Sequence, residues 1–172
     1  AAARKATRAS IWPGAWAIAL SGNGLEQWRL ILWFLAGSIV MRGAGCVWND
    51  IIDRDLDKKV ARTASRPVAS GRVRVALAAA WMGALCLVGL VVLFQLHWQA
   101  QFTALASLAL VAAYPFMKRI TWWPQVWLGL VFSWAALVGW VEMTGGMSLA
   151  GALLYAGSIC WVVGYDSIYA LQ

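Results

Sequence analysis

Long apolar runs separated by short polar breaks fill most of the chain. Six can be drawn, at residues 9–21, 27–46, 75–96, 101–117, 125–142 and 147–165. Apart from the short first one, they approach the roughly 20 residues an α-helix needs to cross a bilayer. Lipid offers no water to unpaired backbone groups, so such segments must be helical. The pattern predicts an all-α fold, a polytopic transmembrane helix bundle of about six helices in a single domain over residues 1–172. Its largest polar break is a loop at residues 47–74. The start has a basic region before an apolar one, as a signal peptide does. However, Trp12-Pro13-Gly14 interrupts the apolar run and the chain begins without Met. The expectation is a first membrane helix entered partway, and a chain cut at both ends.

Composition strengthens this picture. The chain is 62% hydrophobic and only 12% charged, where a soluble domain has about 25% charged residues. Thirteen tryptophans and four tyrosines suit a protein with two water–lipid interfaces, where amphipathic rings collect. The net charge of +7 could point to nucleic acid or anionic lipid, but its distribution points to topology. Thirteen of the fourteen Lys and Arg residues lie at the start, in 42–74, or at Lys118-Arg119. Alternating spans put these on one side; the other side has residues 22–26, the turn near His97 and 143–146, with Arg29 close by. By the positive-inside rule the basic side is cytoplasmic in a bacterial inner membrane, or faces the matrix in a mitochondrial one. No nucleic-acid partner is expected, and membrane lipid is. Cys46, Cys86 and Cys160 show no metal or redox spacing and read as buried thiols.

The 42–74 stretch holds four of the seven acidic residues and eight of the fourteen basic ones. On a helix, Asn49, Asp50, Asp53 and Asp57 fall within an arc of roughly 100°. Asp55 points away, with Lys59 near it. Three carboxylates and an amide on one face repel unless a cation joins them. Hard oxygens grouped this way suit Mg²⁺, which keeps several waters and binds carboxylates together with a substrate phosphate. Arg42, near the end of an apolar helix, is a costly ionisable group and so a functional candidate. Lys118-Arg119 and Tyr165-Asp166 follow the fourth and sixth runs, on the same side as the acidic face. Asp166 and Tyr169 repeat the i, i+3 spacing of Asp50 and Asp53. Two facing acidic helices with a metal–diphosphate between them are the expectation.

Each feature also has a plainer reading. The acidic face could be a solvated helix end balanced by neighbouring Lys and Arg, and Lys118-Arg119 a simple orientation anchor. Arg62 could bind lipid headgroups. Trp122, Trp123 and Trp127 read as interface anchors, one of which could line a cavity. His97 reads as an interface residue, and Gly43 and Gly45 as points of close helix packing.

Five segments together resemble the UbiA family of intramembrane prenyltransferases, most closely its bacterial 4-hydroxybenzoate polyprenyltransferases. They are M-R-x-A-G-C-x-x-N-D from Met41 to Asp50, N-D-x-x-D-x-x-x-D from Asn49 to Asp57, and R-T-x-x-R-P-x-x-S-G from Arg62 to Gly71. Y-P-F-M-K-R-x-T-x-x-P-Q follows from Tyr114 to Gln125, and Y-D-x-x-Y-A from Tyr165 to Ala170. The resemblance implies a nine-helix fold around a central cavity and Mg²⁺-dependent transfer of a polyprenyl group from its diphosphate to 4-hydroxybenzoate, in ubiquinone biosynthesis. It implies metal contacts at Asn49, Asp50, Asp53 and Asp166, with Asp57 a weaker candidate. Lys118 and Arg119 would hold diphosphate oxygens, one as a point charge and the other as a planar fork. Tyr169 would donate to diphosphate, and Arg42 would meet the benzoate carboxylate or the diphosphate. Arg66 and Arg72 would order the loop or bind phosphate. Within the family a naphthoate, homogentisate, haem or chlorophyllide acceptor is the alternative. Outside it stand a divalent-cation transporter and a phospho-alcohol transferase.

Overall fold

The structure, a computed structural model, describes residues 12–23, 26–61 and 63–170. Among the described residues every regular element is helical. Residues 12–18 and the π-helical turn Ala19–Asn23 form α1, followed by α2 (Trp28–Ile52) and the short α3 (Arg54–Asp57). Then come α4 (Val75–Leu93), α5 (Trp98–Ile120), α6 (Pro124–Thr144) and α7 (Leu149–Ala170). Five of these, α2 and α4 to α7, are long and apolar enough to cross a membrane. The chain is thus a multi-pass, all-helical membrane protein. Among the described residues the expected runs are present, with shifted ends; residues 9–11 of the first run lie outside them. The largest shift is in α2, which runs on to Ile52 rather than stopping at residue 46, so residues 47–52 are helix, not loop.

The chain divides into two compact units, residues 1–38 with 92–172, and residues 39–91. In the first, α6 is the central helix. Its buried positions are Gly129, Ser133, Ala136, Leu137, Val138, Gly139 and Val141, and it packs against α5, α7 and the π-helical turn of α1. Lipid tails are as apolar as leucine, so helices associate there through close packing and hydrogen bonds between them. Both are visible. A Cβ on Gly139 would lie 3.0 Å from Gly14 O and 3.1 Å from the Ala17 Cβ. Trp134 Nε1 donates to Thr103 O at 2.7 Å and Trp127 Nε1 to Leu110 O at 2.9 Å, joining α6 to α5. The Tyr155 hydroxyl, on α7, donates to Leu130 O at 3.1 Å. Trp127 is therefore a strut between helices, whereas Trp122 and Trp123 are exposed as expected of interface anchors. Its acceptor lies one residue before Val111, whose carbonyl loses its helical donor because Pro115 has no N–H.

His97 is also more than an interface residue. It is the N-cap of α5, where backbone N–H groups lack helical acceptors. Its backbone N–H donates to Glu142 Oε2 at 2.8 Å, and its ring Nδ1 lies 2.8 Å from Oε1. The buried Glu142 carboxylate thus caps α5 from the end of α6.

In the second unit, α2 approaches α4 at Met41 and Gly43. A Cβ on Gly43 would come 3.2 Å from Leu85 Cδ1, and one on Gly89 would overlap Met41 Sδ. Gly43 therefore meets the close-packing expectation. The other side of α4 presents Leu77, Trp81, Leu87 and Val91 outward, as a lipid-facing helix should. The three cysteines are free thiols on exposed helix faces rather than buried ones. A lipid-facing position and a core position are equally apolar, so sequence alone does not separate them.

Replacing Gly139 by Leu would force α1 away from α6. Overpacking of this kind costs about 1–3 kcal/mol. Gly157, on α7, has nothing within 4 Å of a built Cβ, and Gly157→Leu should stay within about 0.5 kcal/mol. Thermal unfolding in detergent micelles should show a clearly lowered Tm for the first variant only; equal Tm values would rule out the close approach of the two helices.

Candidate functional site

The polar end of α2 builds the site. The helix ends at Ile52, and Asp53 follows with φ −89° and ψ 5° as the N-cap of α3. The helical ladder nevertheless continues through the break. Asp53 N–H donates to Asn49 O at 2.9 Å, and Asp57 N–H to Asp53 O at 2.8 Å. The expected acidic face is thus built on two helical pieces with nearly continuous winding. Asp53 and Asp57 are buried, while Asn49 and Asp50 are half-buried.

One side chain from outside this face joins it. Arg66 Nη1 lies 2.9 Å from Asp50 Oδ1 and 2.9 Å from Asp57 Oδ2. A single guanidinium nitrogen therefore bridges two carboxylates seven residues apart, two helical turns along the chain. Charge-assisted bonds of this type contribute about 1.5–3 kcal/mol each. The lower end applies, because the Arg66 side chain keeps 38% exposure and water screens it. Asp55 stands apart, as expected, but its partners are Arg54 at 3.2 Å and Lys58 at 3.3 Å rather than Lys59. Hydrogen bonds from Arg54 first, then Lys58, hold its carboxyl below the ordinary carboxylate range.

The segment after α3 delivers Arg66. Thr63 Oγ1 donates to Asp57 O at 3.1 Å, and Arg66 N–H to Thr63 O at 3.0 Å. Val73 N–H returns to Pro67 O at 3.0 Å. Arg72 donates to Ser70 Oγ at 3.2 Å and to Ser65 O, contacts that tie the turn to itself. Gly71 has φ +77°, a left-handed conformation that side chains resist, though nothing lies within 4 Å of its Cβ position. Residues of the R-T-x-x-R-P-x-x-S-G segment thus shape a turn that carries one arginine back to the acidic face. Arg62 lies outside the described residues.

Arg42 is half-buried on α2, two helical turns before Asn49. The other expected site residues belong to the first unit. Lys118 and Arg119 fall in the last turn of α5 and Tyr169 in the last turn of α7, with their side chains outside the described part. Asp166 is half-buried on α7, next to Tyr165, whose ring stacks on Trp161 at 5.7 Å. Trp16 meets the edge of Trp161 at 5.2 Å. This aromatic row, and the buried indole N–H of Trp48 beside Asn49, escaped the sequence reading. Tryptophans are so frequent here that none stands out by type.

The donor set at the acidic face suits Mg²⁺. Two carboxylate oxygens already converge on one positive centre, with Asn49 and Asp53 on the same helical face. Among the described residues no three His, Cys, Asp or Glu side chains form a metal cage. Mg²⁺ differs from a caged ion in taking one or two carboxylates and completing its shell with waters and substrate phosphate.

The UbiA prenyltransferase family model matches residues 10–172. The chain is 46% identical over 164 residues to the mitochondrial 4-hydroxybenzoate polyprenyltransferase of Drosophila melanogaster, covering 94% of this chain and 42% of that protein. It is 40% identical over 161 residues to the 4-hydroxybenzoate octaprenyltransferase of Pseudoalteromonas atlantica, covering 94% of this chain and 56% of that one. The chain thus spans roughly half the length of the curated relatives it matches. Among solved structures, the apo structure of a UbiA homolog from Aeropyrum pernix K1 superimposes with a TM-score of 0.78 at 27% identity, over 96% of this chain and 63% of that one. On the family match, the motifs and the fold together, this chain belongs to the UbiA prenyltransferase family.

Proposed function

We propose that the full-length protein transfers a polyprenyl group from polyprenyl diphosphate to the ring carbon of 4-hydroxybenzoate ortho to its hydroxyl, in ubiquinone biosynthesis. The observation that carries this reading is the resemblance, across nearly the whole chain, to proteins named for 4-hydroxybenzoate prenyl transfer. The reaction would take place at the basic side of a bacterial inner membrane, on the cytoplasmic face, or on the matrix face of a mitochondrial inner membrane.

Asn49, Asp50, Asp53, Asp57 and Asp166 would hold Mg²⁺, directly or through water. The ion supplies positive charge where the diphosphate leaving group gains negative charge. Lys118, Arg119 and Arg66 would bind the remaining diphosphate oxygens, and Tyr169 would donate a hydrogen bond to them. Arg42 would orient the aromatic acid or the diphosphate. Breaking the C–O bond leaves an allylic cation, which the hydroxyl-activated ring attacks; loss of the ring proton restores aromaticity. That cation must be kept from water, and aromatic faces stabilise positive charge. The aromatic contacts Trp16–Trp161 and Trp161–Tyr165, next to Asp166 in sequence, would offer such faces.

Membranes containing the full-length protein, given geranyl diphosphate and 4-hydroxybenzoate, should form the prenylated acid with Mg²⁺ and none with EDTA, as read by mass spectrometry. Product only with another aromatic acid would change the acceptor and keep the reaction class. Asp50→Ala and Asp53→Ala should each lower turnover at least about 100-fold, the scale of losing a main electrostatic contact, with membrane insertion unchanged. Normal turnover in either variant would remove the metal assignment. Arg42→Ala should raise KM for one substrate by about tenfold, the weight of a charged hydrogen bond. A rise for the acid places Arg42 on its carboxylate, and a rise for the prenyl substrate places it on the diphosphate.

A further inference from the structure

We propose that Arg66 is a built-in counter-cation that occupies the place of the divalent ion at Asp50 and Asp57, and that the ion and the guanidinium compete for these carboxylates. The inference rests on the metal reading above. It is carried by one geometric fact: a single nitrogen, Arg66 Nη1, sits 2.9 Å from an oxygen of each aspartate. Two carboxylates that share one helical face and converge on one point repel, and Asp57 is largely withdrawn from water, with 11% of its side chain exposed. Leaving two such charges uncompensated would be costly. Arg66 removes that repulsion and keeps the oxygens pointed at a common centre. Mg²⁺ takes oxygens at about 2.1 Å, so an ion at the Nη1 position would need each oxygen to move in by roughly 0.8 Å. The guanidinium and the ion cannot share that position.

The arginine is placed so that displacement is easy. It sits on a segment outside the helices, held by Thr63, Pro67 and the turn at Gly71, and its side chain is 38% exposed. Of the other cations close in sequence, Arg54 and Lys58 are already paired with Asp55. Once displaced, Arg66 carries an unspent positive charge beside the ion, with five N–H donors suited to phosphate oxygens. Exchange therefore links ion binding to diphosphate recognition: the ion releases the arginine that the substrate then engages.

Substrate-free Mn²⁺ binding tests this without any turnover. The full-length protein in detergent is titrated with Mn²⁺ alone, and free ion is read from its electron paramagnetic resonance signal. Removing the competitor in Arg66→Gln should tighten Mn²⁺ binding roughly tenfold, whereas Arg66→Lys, which keeps a cation, should stay within about threefold of the natural protein; for scale, tenfold is about 1.4 kcal/mol. Equal or weaker binding by Arg66→Gln, with measurable binding by the natural protein, overturns the competition and leaves the metal assignment standing. No Mn²⁺ binding by any of the proteins overturns both. Backbone hydrogen exchange of residues 63–73 in the natural protein gives a reading independent of the variants' folding. Mn²⁺ should speed exchange in this segment several-fold as Arg66 lets go, and unchanged or slower exchange overturns the proposal.

Discussion

A polar group in or beside a bilayer must find its partner within the protein, and this constraint shapes the chain at every scale. Backbone groups meet it by forming helices in every span among the described residues. Side chains meet it by joining helices to one another. The indoles of Trp127 and Trp134 reach carbonyls of α5, the Tyr155 hydroxyl reaches a carbonyl of α6, and the Glu142 carboxylate takes the N–H of His97, the N-cap of α5. In water such groups could turn to solvent at little cost. Here each becomes a fixed link, so the polar residues of the spans determine which helices meet and at what height.

The same constraint explains why the acidic face is accompanied by an arginine. Carboxylates at the end of a membrane helix can be neutralised by protonation, by a metal ion or by a fixed cation. The fold uses the third at Asp50 and Asp57 and supplies it from a turn built for the purpose. Asp55, pointing away from that face, is served by its immediate neighbours Arg54 and Lys58. Two classes of acidic residue thus lie within eight positions: one balanced locally and exposed, the other balanced from a distance and withdrawn from water. Only the second class is bridged by a single cationic nitrogen.

Much of this was legible in the sequence. The spans follow from hydropathy, because lipid imposes one period and one minimum length. The arc shared by Asn49, Asp50, Asp53 and Asp57 follows from helical geometry, and it holds although the helix breaks at Asp53. What was not legible divides along a physical line. The apolar run ends at residue 46 and hydropathy sets the helix boundary there, yet α2 continues to Ile52 because its own hydrogen bonds carry it past the apolar stretch. The pairing of Arg66 with Asp50 and Asp57 depends on a turn, and turns carry no periodicity from which a partner can be found. Cys46, Cys86 and Cys160 read as buried because burial in protein and exposure to lipid select the same residue types. Trp127 read as an anchor because its indole suits a water–lipid interface as well as a neighbouring carbonyl.

The Arg66 turn also gives the family resemblance a physical content that motif matching lacks. An acidic pattern and a following R-T-x-x-R-P-x-x-S-G pattern could be two independent signatures, one for a metal and one for a phosphate. In the structure they form one electrostatic unit. Thr63 closes the turn on the Asp57 carbonyl, Gly71 supplies the left-handed reversal, and Arg66 returns to both ends of the acidic face. A substitution in the turn would therefore act on the carboxylates, and a substitution among the carboxylates would loosen the turn. Two motifs separated by a few residues behave as one because a single guanidinium nitrogen belongs to both.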